Sequence, residues 1–101
     1  MKMLHIVNKS PFENTSLDSC LRMVSKDCAL LLTEDGVYAV AKHNSQETKI
    51  KQALQTCKIY ALWPDLEARG MQDAIMEGVK LVGYDGFVDL VAEHDSVQSW
   101  L

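Results

Sequence analysis

Residues 28–34, CALLLTE, are the stretch that most constrains the fold, because they begin with five consecutive apolar residues. Such an unbroken run is typical of a strand buried on both faces of a parallel sheet. Shorter apolar runs at 3–7, 58–63 and 79–84 predict three more strands. Helix-like segments separate the runs, and this alternation predicts an α/β fold with a mostly parallel sheet and helices on both faces. We expect one three-layer domain over residues 1–101.

The segments between the strands show helical spacing or turn signals. Helices are predicted at 15–26, 45–57, 71–78 and 85–94. Residues 34–41, EDGVYAVA, contain an Asp-Gly pair, so they predict either a hairpin or a loop that opens a short helical turn. After the last helix, residues 95–101 are expected to form a tail that ends on an exposed Trp100.

Composition and charge exclude several classes of protein. Fourteen acidic residues against ten scattered basic ones give a net charge of −4, so the chain lacks the basic cluster that nucleic-acid binding requires. No apolar stretch is long enough to span a membrane, and the N-terminus predicts a strand rather than a signal peptide. Three irregularly spaced cysteines do not form a disulfide framework, which predicts a cytoplasmic protein.

The motifs of the common enzyme classes are missing. The sequence contains neither a dinucleotide-binding nor a phosphate-loop glycine motif, and it has no HExxH, CxxC or GxSxG pattern. We therefore expect no cofactor and no metal site. The groups that could still carry a function are a cysteine thiol, a few acidic residues and a surface suited to binding other proteins.

Cys20 is the candidate reactive thiol. It shares an apolar helical stripe with Leu17, Leu21 and Val24, which favours a packing role for a small buried residue. It also lies near a helix N-terminus, where the helix dipole favours a thiolate, although Asp18 opposes ionisation. Both interpretations remain open at this point. Cys28 and Cys57, at the ends of apolar runs, are interpreted as packing residues, as are His5 and His94.

Aromatic and methionine side chains are the candidate interface anchors, because these residue types are enriched at the centres of interfaces. The candidates are Phe12, Trp63, Met71 and Trp100. Trp100 either docks on its own domain or inserts into a neighbour, and the apolar end of the tail favours a neighbour. Arg69 is a further candidate, either complementing a helix C-terminus or binding an anion or a partner's carboxylate.

Four motifs in order carry a family resemblance over essentially the whole chain. They are LHIVNKSPF, LLLTEDGVYA, YALWPDLEARG and YDGFVDLVAEHDSVQSWL. Together they resemble the DsrH/TusB family. The resemblance implies a DsrE/F-like fold and a subunit of a cytoplasmic sulfurtransferase complex, which passes persulfide sulfur between protein thiols.

The resemblance also implies the partners. In that family two homologous sister subunits, DsrE and DsrF or TusD and TusC, complete a heterohexamer, and a small acceptor, DsrC or TusE, takes the sulfur onward. The main active cysteine belongs to the DsrE/TusD sister, so the chain itself need not be an enzyme. The Dsr branch serves intracellular sulfur oxidation and resembles this chain in having a cysteine at the position of Cys20. The Tus branch, with an apolar residue there, serves 2-thiouridine formation in tRNA.

Three functions are thus expected. The first is a DsrH-like relay subunit in which Cys20 accepts sulfur. The alternatives are a TusB-like subunit of the tRNA-thiolation relay and a purely structural subunit of either complex without a working thiol.

Overall fold

A computed structural model describes residues 2–100, and within them five parallel strands form one sheet. The strands are β1 (Met3–Val7), β2 (Ala29–Leu32), β3 (Lys58–Leu62), β4 (Lys80–Val82) and β5 (Ser96–Trp100). Their order in the sheet is β4-β3-β2-β1-β5. All four residues of β2 are buried, as expected for a central strand that is covered on both faces.

Helices cover the two faces of the sheet unequally. They are α1 (Ser16–Leu21), α2 (Glu47–Leu54), α3 (Trp63–Ala68) and α4 (Tyr84–Glu93), and a 3₁₀ helix spans Glu34–Val40. The larger core contains residues of α1, α2, α3 and the 3₁₀ helix packed on one face. The smaller core packs α4 through Phe87 and Leu90 against Leu4 and Leu31 on the other face. The predicted α/β fold with helices on both faces is therefore confirmed.

The predicted C-terminal tail is a strand instead. Residues 96–100 pair in parallel with the whole of β1, which places β5 at one edge of the sheet. Only Val97 and Trp100 are apolar in this segment, and their spacing gives neither an apolar run nor a period-two alternation, so the sequence concealed the strand. The expectation of an exposed Trp100 was wrong, since the side chain is half-buried and packs on the larger core. Leu101 lies outside the described residues.

The structure also defines the conformation of two segments between the strands, residues 34–40 and 71–78. Residues 34–40 form the helical turn rather than the hairpin. The helix predicted at 71–78 is absent; the backbone there turns instead, between Gly70 and Gly78, which both have positive φ. Its backbone groups bond to residues after the 3₁₀ helix, with Lys42 N–H donating to the Ala74 carbonyl at 2.8 Å. A segment of this length gains little from helix formation by itself, so the tertiary hydrogen bonds decide its conformation.

Gly36 allows the 3₁₀ helix to approach the end of β1. A Cβ atom at this position would lie 2.2 Å from the Val7 carbonyl oxygen, far inside van der Waals contact. Gly36 N–H donates to the Thr33 carbonyl at 2.9 Å, and Thr33 N–H donates to that same Val7 oxygen at 3.1 Å. The glycine of the Asp-Gly pair is therefore needed for close approach, not for a hairpin turn.

No helix in the described part of the chain is long and apolar enough to cross a membrane.

Candidate functional site

Cys20 lies on the buried side of α1 and has no solvent-exposed surface. Burial, together with the nearby thiols of Cys57 and Cys28, raises the pKa of its thiol to about 12. The packing interpretation of this residue agrees with its burial. Only a very small fraction of such a thiol is ionised near neutral pH, and the thiolate is the reactive form. That Cys20 accepts sulfur stays a prediction.

The other two cysteines differ in their surroundings. Cys57 is buried in the larger core, and burial together with the Cys28 thiol raises its pKa. Cys28 lies immediately before β2, and its Sγ atom is 3.2 Å from Ser25 Oγ. All three cysteines are free thiols. Cys28 lines the two cavities described next, whereas Cys20 lines neither of them.

An apolar cavity of about 400 Å³ opens beside Cys28, at the start of the strands and under the loop that follows α1. Its walls carry soft and aromatic groups together with a few polar ones: Met3, Met23, His5, Ser25, Cys28 and Trp100. We call this the Cys28 cavity.

His5 contributes a fixed hydrogen-bonding pattern to the Cys28 cavity. Trp100 Nε1–H donates to His5 Nδ1 at 3.1 Å, and an indole nitrogen is only a donor. His5 is therefore the neutral tautomer with its proton on Nε2. That Nε2 is enclosed and finds no hydrogen-bond partner among the described residues. Burial lowers the pKa of His5, in agreement with a neutral ring.

A second, smaller cavity of about 160 Å³ adjoins Cys28 from the α4 side. Its lining includes three lysines and two carboxylates: Lys2, Lys26, Lys58, Asp27 and Glu93. His94 also lines it, with Nδ1 2.6 Å from the Leu90 carbonyl oxygen. With three ammonium groups and two carboxylates, this end of the strands is locally more positive than the acidic chain as a whole.

Arg69 is committed to contacts within the chain at the opposite end of the central strands. Its Nη2 and Nε donate to Asp35 Oδ1 at 2.8 and 3.1 Å, and its Nη1 donates to the Asp65 carbonyl at 3.0 Å. The guanidinium also lies 5.8 Å from the centre of the Tyr38 ring. The hydrogen bonds to Asp35 raise the pKa of Arg69. The ion pair ties the end of α3 to the 3₁₀ helix.

The other interface candidates have different degrees of exposure. Phe12 is exposed, with 55% of its surface accessible, whereas Met71 is buried in the larger core. Trp63 is half-buried against that core, and Trp100 is held by His5. Their assignment as interface anchors stays a prediction. The side chains of Met71 and Trp100 already pack on the larger core of this chain.

A further apolar surface, which sequence reasoning missed, lies on the α4 side of the sheet. Tyr84, Val88 and Val91 recur at i, i+4 and i+7 along α4, and between 40% and 67% of each is exposed. Val97 of β5 is also exposed and pairs with Leu4, whose side chain packs under α4. We call these four residues the α4 surface. The i, i+4, i+7 spacing within residues 84–91 was the available sequence signal.

Among the described residues, no group of three or more His, Cys, Asp or Glu side chains is placed to hold a metal ion.

Comparison with known proteins gives one consistent family. A model of the DsrH-like protein family matches residues 9–97. Protein TusB of Pectobacterium atrosepticum is 38% identical over 98 residues, and protein TusB of Escherichia coli K12 is 37% identical over 98 residues. Each match covers 97% of this chain and 100% of the relative.

Solved structures support the fold. The YchN protein of Escherichia coli superposes with a TM-score of 0.84 at 18% identity, covering 98% of both chains. Protein MTH1491 of Methanobacterium thermoautotrophicum gives a TM-score of 0.73 at 20% identity, covering 96% of both chains. These two likenesses concern the fold alone. The sequence matches, which run over nearly the whole chain, show that it belongs to the DsrH/TusB family of sulfur-relay subunits.

Proposed function

We propose that this chain is a TusB-like subunit of a cytoplasmic complex that relays sulfur toward 2-thiouridine formation in tRNA. The observation that carries the proposal is the identity of 37–39% with several TusB proteins across their full length. In this proposal the chain works with two homologous sister subunits, TusC-like and TusD-like, in a heterohexamer. A TusE-like acceptor takes the sulfur onward.

The α4 surface supports an assembled state. Its three α4 residues form a continuous apolar stripe on the only helix that covers that face of the sheet within the described residues. Isolated exposed apolar residues need no explanation, but a stripe along one helix indicates an interaction site. In the proposed complex a sister subunit covers this stripe.

The geometry of Cys20 supports a structural contribution by this residue. With a pKa of about 12, roughly one Cys20 thiol in 10⁵ is ionised at pH 7. Its full burial leaves a donor no path to the sulfur atom unless α1 moves. In this proposal the main active cysteine is therefore on the TusD-like sister, and Cys20 packs α1 onto the sheet.

One observation favours a second candidate, a DsrH-like subunit of a sulfur-oxidation relay. The chain has a cysteine at position 20, where the resemblance to the Dsr branch also places one. The two candidates share the fold, the sister subunits and the chemistry of persulfide transfer. They differ in the acceptor protein and in the final sulfur-containing product.

A complementation experiment tests the proposal and separates the candidates. Escherichia coli cells that lack TusB receive this chain together with the two sister chains and the acceptor of its own organism. Recovery of 2-thiouridine in tRNA, measured by mass spectrometry of nucleosides, is the expected result. A complex that forms without restoring 2-thiouridine would favour the sulfur-oxidation candidate. Failure to form any complex with the sisters would overturn both.

A further inference from the structure

We propose that Cys28 is the thiol through which this chain accepts sulfur, and that the Cys28 cavity binds the donor's hydropersulfide. The inference rests on the proposed function in the general sense that sulfur moves between thiols in the complex. It assigns a chemical role to a residue that the sequence pattern assigned to packing. The assignment depends on three observations about access, hydrogen bonding and charge.

Access to Cys28 is the first observation. Cys28 borders the Cys28 cavity of about 400 Å³, whereas Cys20 has no exposed surface. Its Sγ atom lies 3.2 Å from Ser25 Oγ, which shares the cavity wall. Met23 is 63% exposed on the same wall, so a flexible side chain with few contacts borders the opening. Cys28 is itself 9% exposed, against 0% for Cys20, so the path to its thiol runs through this cavity and does not require α1 to unfold.

The unsatisfied hydrogen bond of His5 is the second observation. His5 is only 2% exposed, and its ring borders the Cys28 cavity. Because Trp100 occupies Nδ1, the proton is on Nε2, and this N–H has no partner among the described residues. A buried donor without an acceptor costs free energy, so such groups call for a functional explanation. In this proposal the sulfur of a ligand in the Cys28 cavity is the acceptor for Nε2–H.

The local charge is the third observation. The adjoining cavity brings Lys2, Lys26 and Lys58 to the side of Cys28 that faces α4. Asp27 and Glu93 line the same cavity and offset part of this charge. A net positive surrounding attracts an anionic persulfide donor. Apolar walls with two methionines and an indole suit a polarisable sulfur ligand.

The proposed step is a sulfur transfer that balances without an external oxidant. The Cys28 thiolate attacks the terminal sulfur of a donor R–S–SH. A new S–S bond forms between Cys28 and that sulfur, the S–S bond of the donor breaks, and R–S⁻ leaves. The proton that Cys28 released goes to the departing thiolate. The products are Cys28–S–SH and R–SH, and the number of persulfide groups is unchanged.

Mass spectrometry of the full chain tests the assignment. The purified chain is exposed to glutathione persulfide, its remaining thiols are alkylated, and peptides containing each cysteine are mapped. We expect one added sulfur on Cys28 at a rate roughly tenfold above that on Cys20 or Cys57. A second arm uses the persulfidated TusD-like sister as the donor. Loading in the first arm shows that small persulfides reach the cavity, and loading in the second arm alone restricts the donor to protein.

Variants provide the matched control. Cys28→Ser is expected to abolish loading, whereas Cys20→Ser and Cys57→Ser retain it. Mapping of the wild type needs no variant, so the test stands even where a substitution prevents folding. Sulfur found on Cys20 or Cys57 first, or on no cysteine in either arm, would overturn the assignment. Complex formation and the recovery of 2-thiouridine in tRNA test the proposed function separately, so either of these results would leave the proposed function standing.

Discussion

Trp100 Nε1–H donates a hydrogen bond to His5 Nδ1 across 3.1 Å, and this bond joins the edge strand β5 to the buried strand β1. The two ring centres are 6.0 Å apart and tilted by 37°. The contact holds the last described residue on the sheet and determines which nitrogen of His5 carries its proton. It also forms part of the wall of the Cys28 cavity.

Trp100→Phe is expected to lower the free energy of unfolding by about 1–3 kcal/mol, because it leaves His5 Nδ1 buried without a donor. Urea denaturation followed by circular dichroism measures the change. His5→Phe combined with Trp100→Phe should recover part of the loss, since both polar partners are then removed. A double variant that loses as much stability as Trp100→Phe alone, or more, would contradict the account.

His5 predicts a loss of stability in acid. Burial lowers its pKa below 6.5, so the unfolded chain binds a proton before the folded chain does. The contribution of the neutral ring is fully present above about pH 6.5 and declines as the pH falls from that value toward the lower pKa of the folded state. His5→Gln should flatten this slope in urea titrations between pH 7 and 5 (a window set by the histidine pKa). Identical slopes for His5→Gln and wild type would refute the assignment.

Cys20 is expected to resist alkylation in the folded chain. Its pKa of about 12 keeps it protonated, and its burial excludes the reagent, so iodoacetamide at pH 8 should label it only in urea. Because the folded pKa exceeds the unfolded value of 9.0, the same thiol contributes stability below pH 9 that is lost as the pH rises toward 12. Rapid native labelling of Cys20 would support a reactive role for it instead.

The apolar runs predicted the three inner strands of the sheet because burial on two faces leaves a strong signal in sequence, and the run at 79–84 also predicted the edge strand β4. Residues 28–34 became β2 with all four of its residues buried. The edge strand at Ser96–Trp100 was missed because three of its five residues are exposed and its two apolar residues form neither a run nor an alternation. The turns at 71–78 were missed because backbone hydrogen bonds to a distant segment, invisible to local spacing, determine them.

The candidate site was only partly accessible to sequence reasoning. The helical stripe correctly indicated that Cys20 packs in a core. Cys28 was assigned to packing as well, because it begins an apolar run. Its cavity is formed by residues far apart in sequence, His5 and Trp100 among them, and only the register of β5 beside β1 brings these together.

Gly36→Ala is expected to destabilise the chain by more than about 2 kcal/mol, because its Cβ would lie 2.2 Å from the Val7 carbonyl oxygen. Thermal and urea denaturation measure the loss. Gly83→Ala is the matched control, since nothing lies within 4 Å of a Cβ there and its φ of −90° suits any residue. Similar losses for the two variants would show that the close approach at Gly36 does not govern the effect.

The α4 surface predicts the effect of a charge on assembly. Val88 is 67% exposed in the chain alone, so Val88→Lys should leave the free energy of unfolding within about 0.5 kcal/mol of wild type. In the proposed complex the same lysine would be buried without a partner, which weakens association strongly. Thr48→Lys, an exposed polar position on α2, serves as the control. Unchanged association of Val88→Lys would place the sister subunit elsewhere.

The most direct test of the central claim is the size and composition of the particle formed when this chain is co-expressed with its two sister chains. Size-exclusion chromatography with multi-angle light scattering, followed by mass spectrometry, determines both. The account predicts one species that contains all three chains in equal amounts and has the mass of a heterohexamer. A chain that elutes alone as a stable monomer, with the sisters in separate fractions, would contradict it.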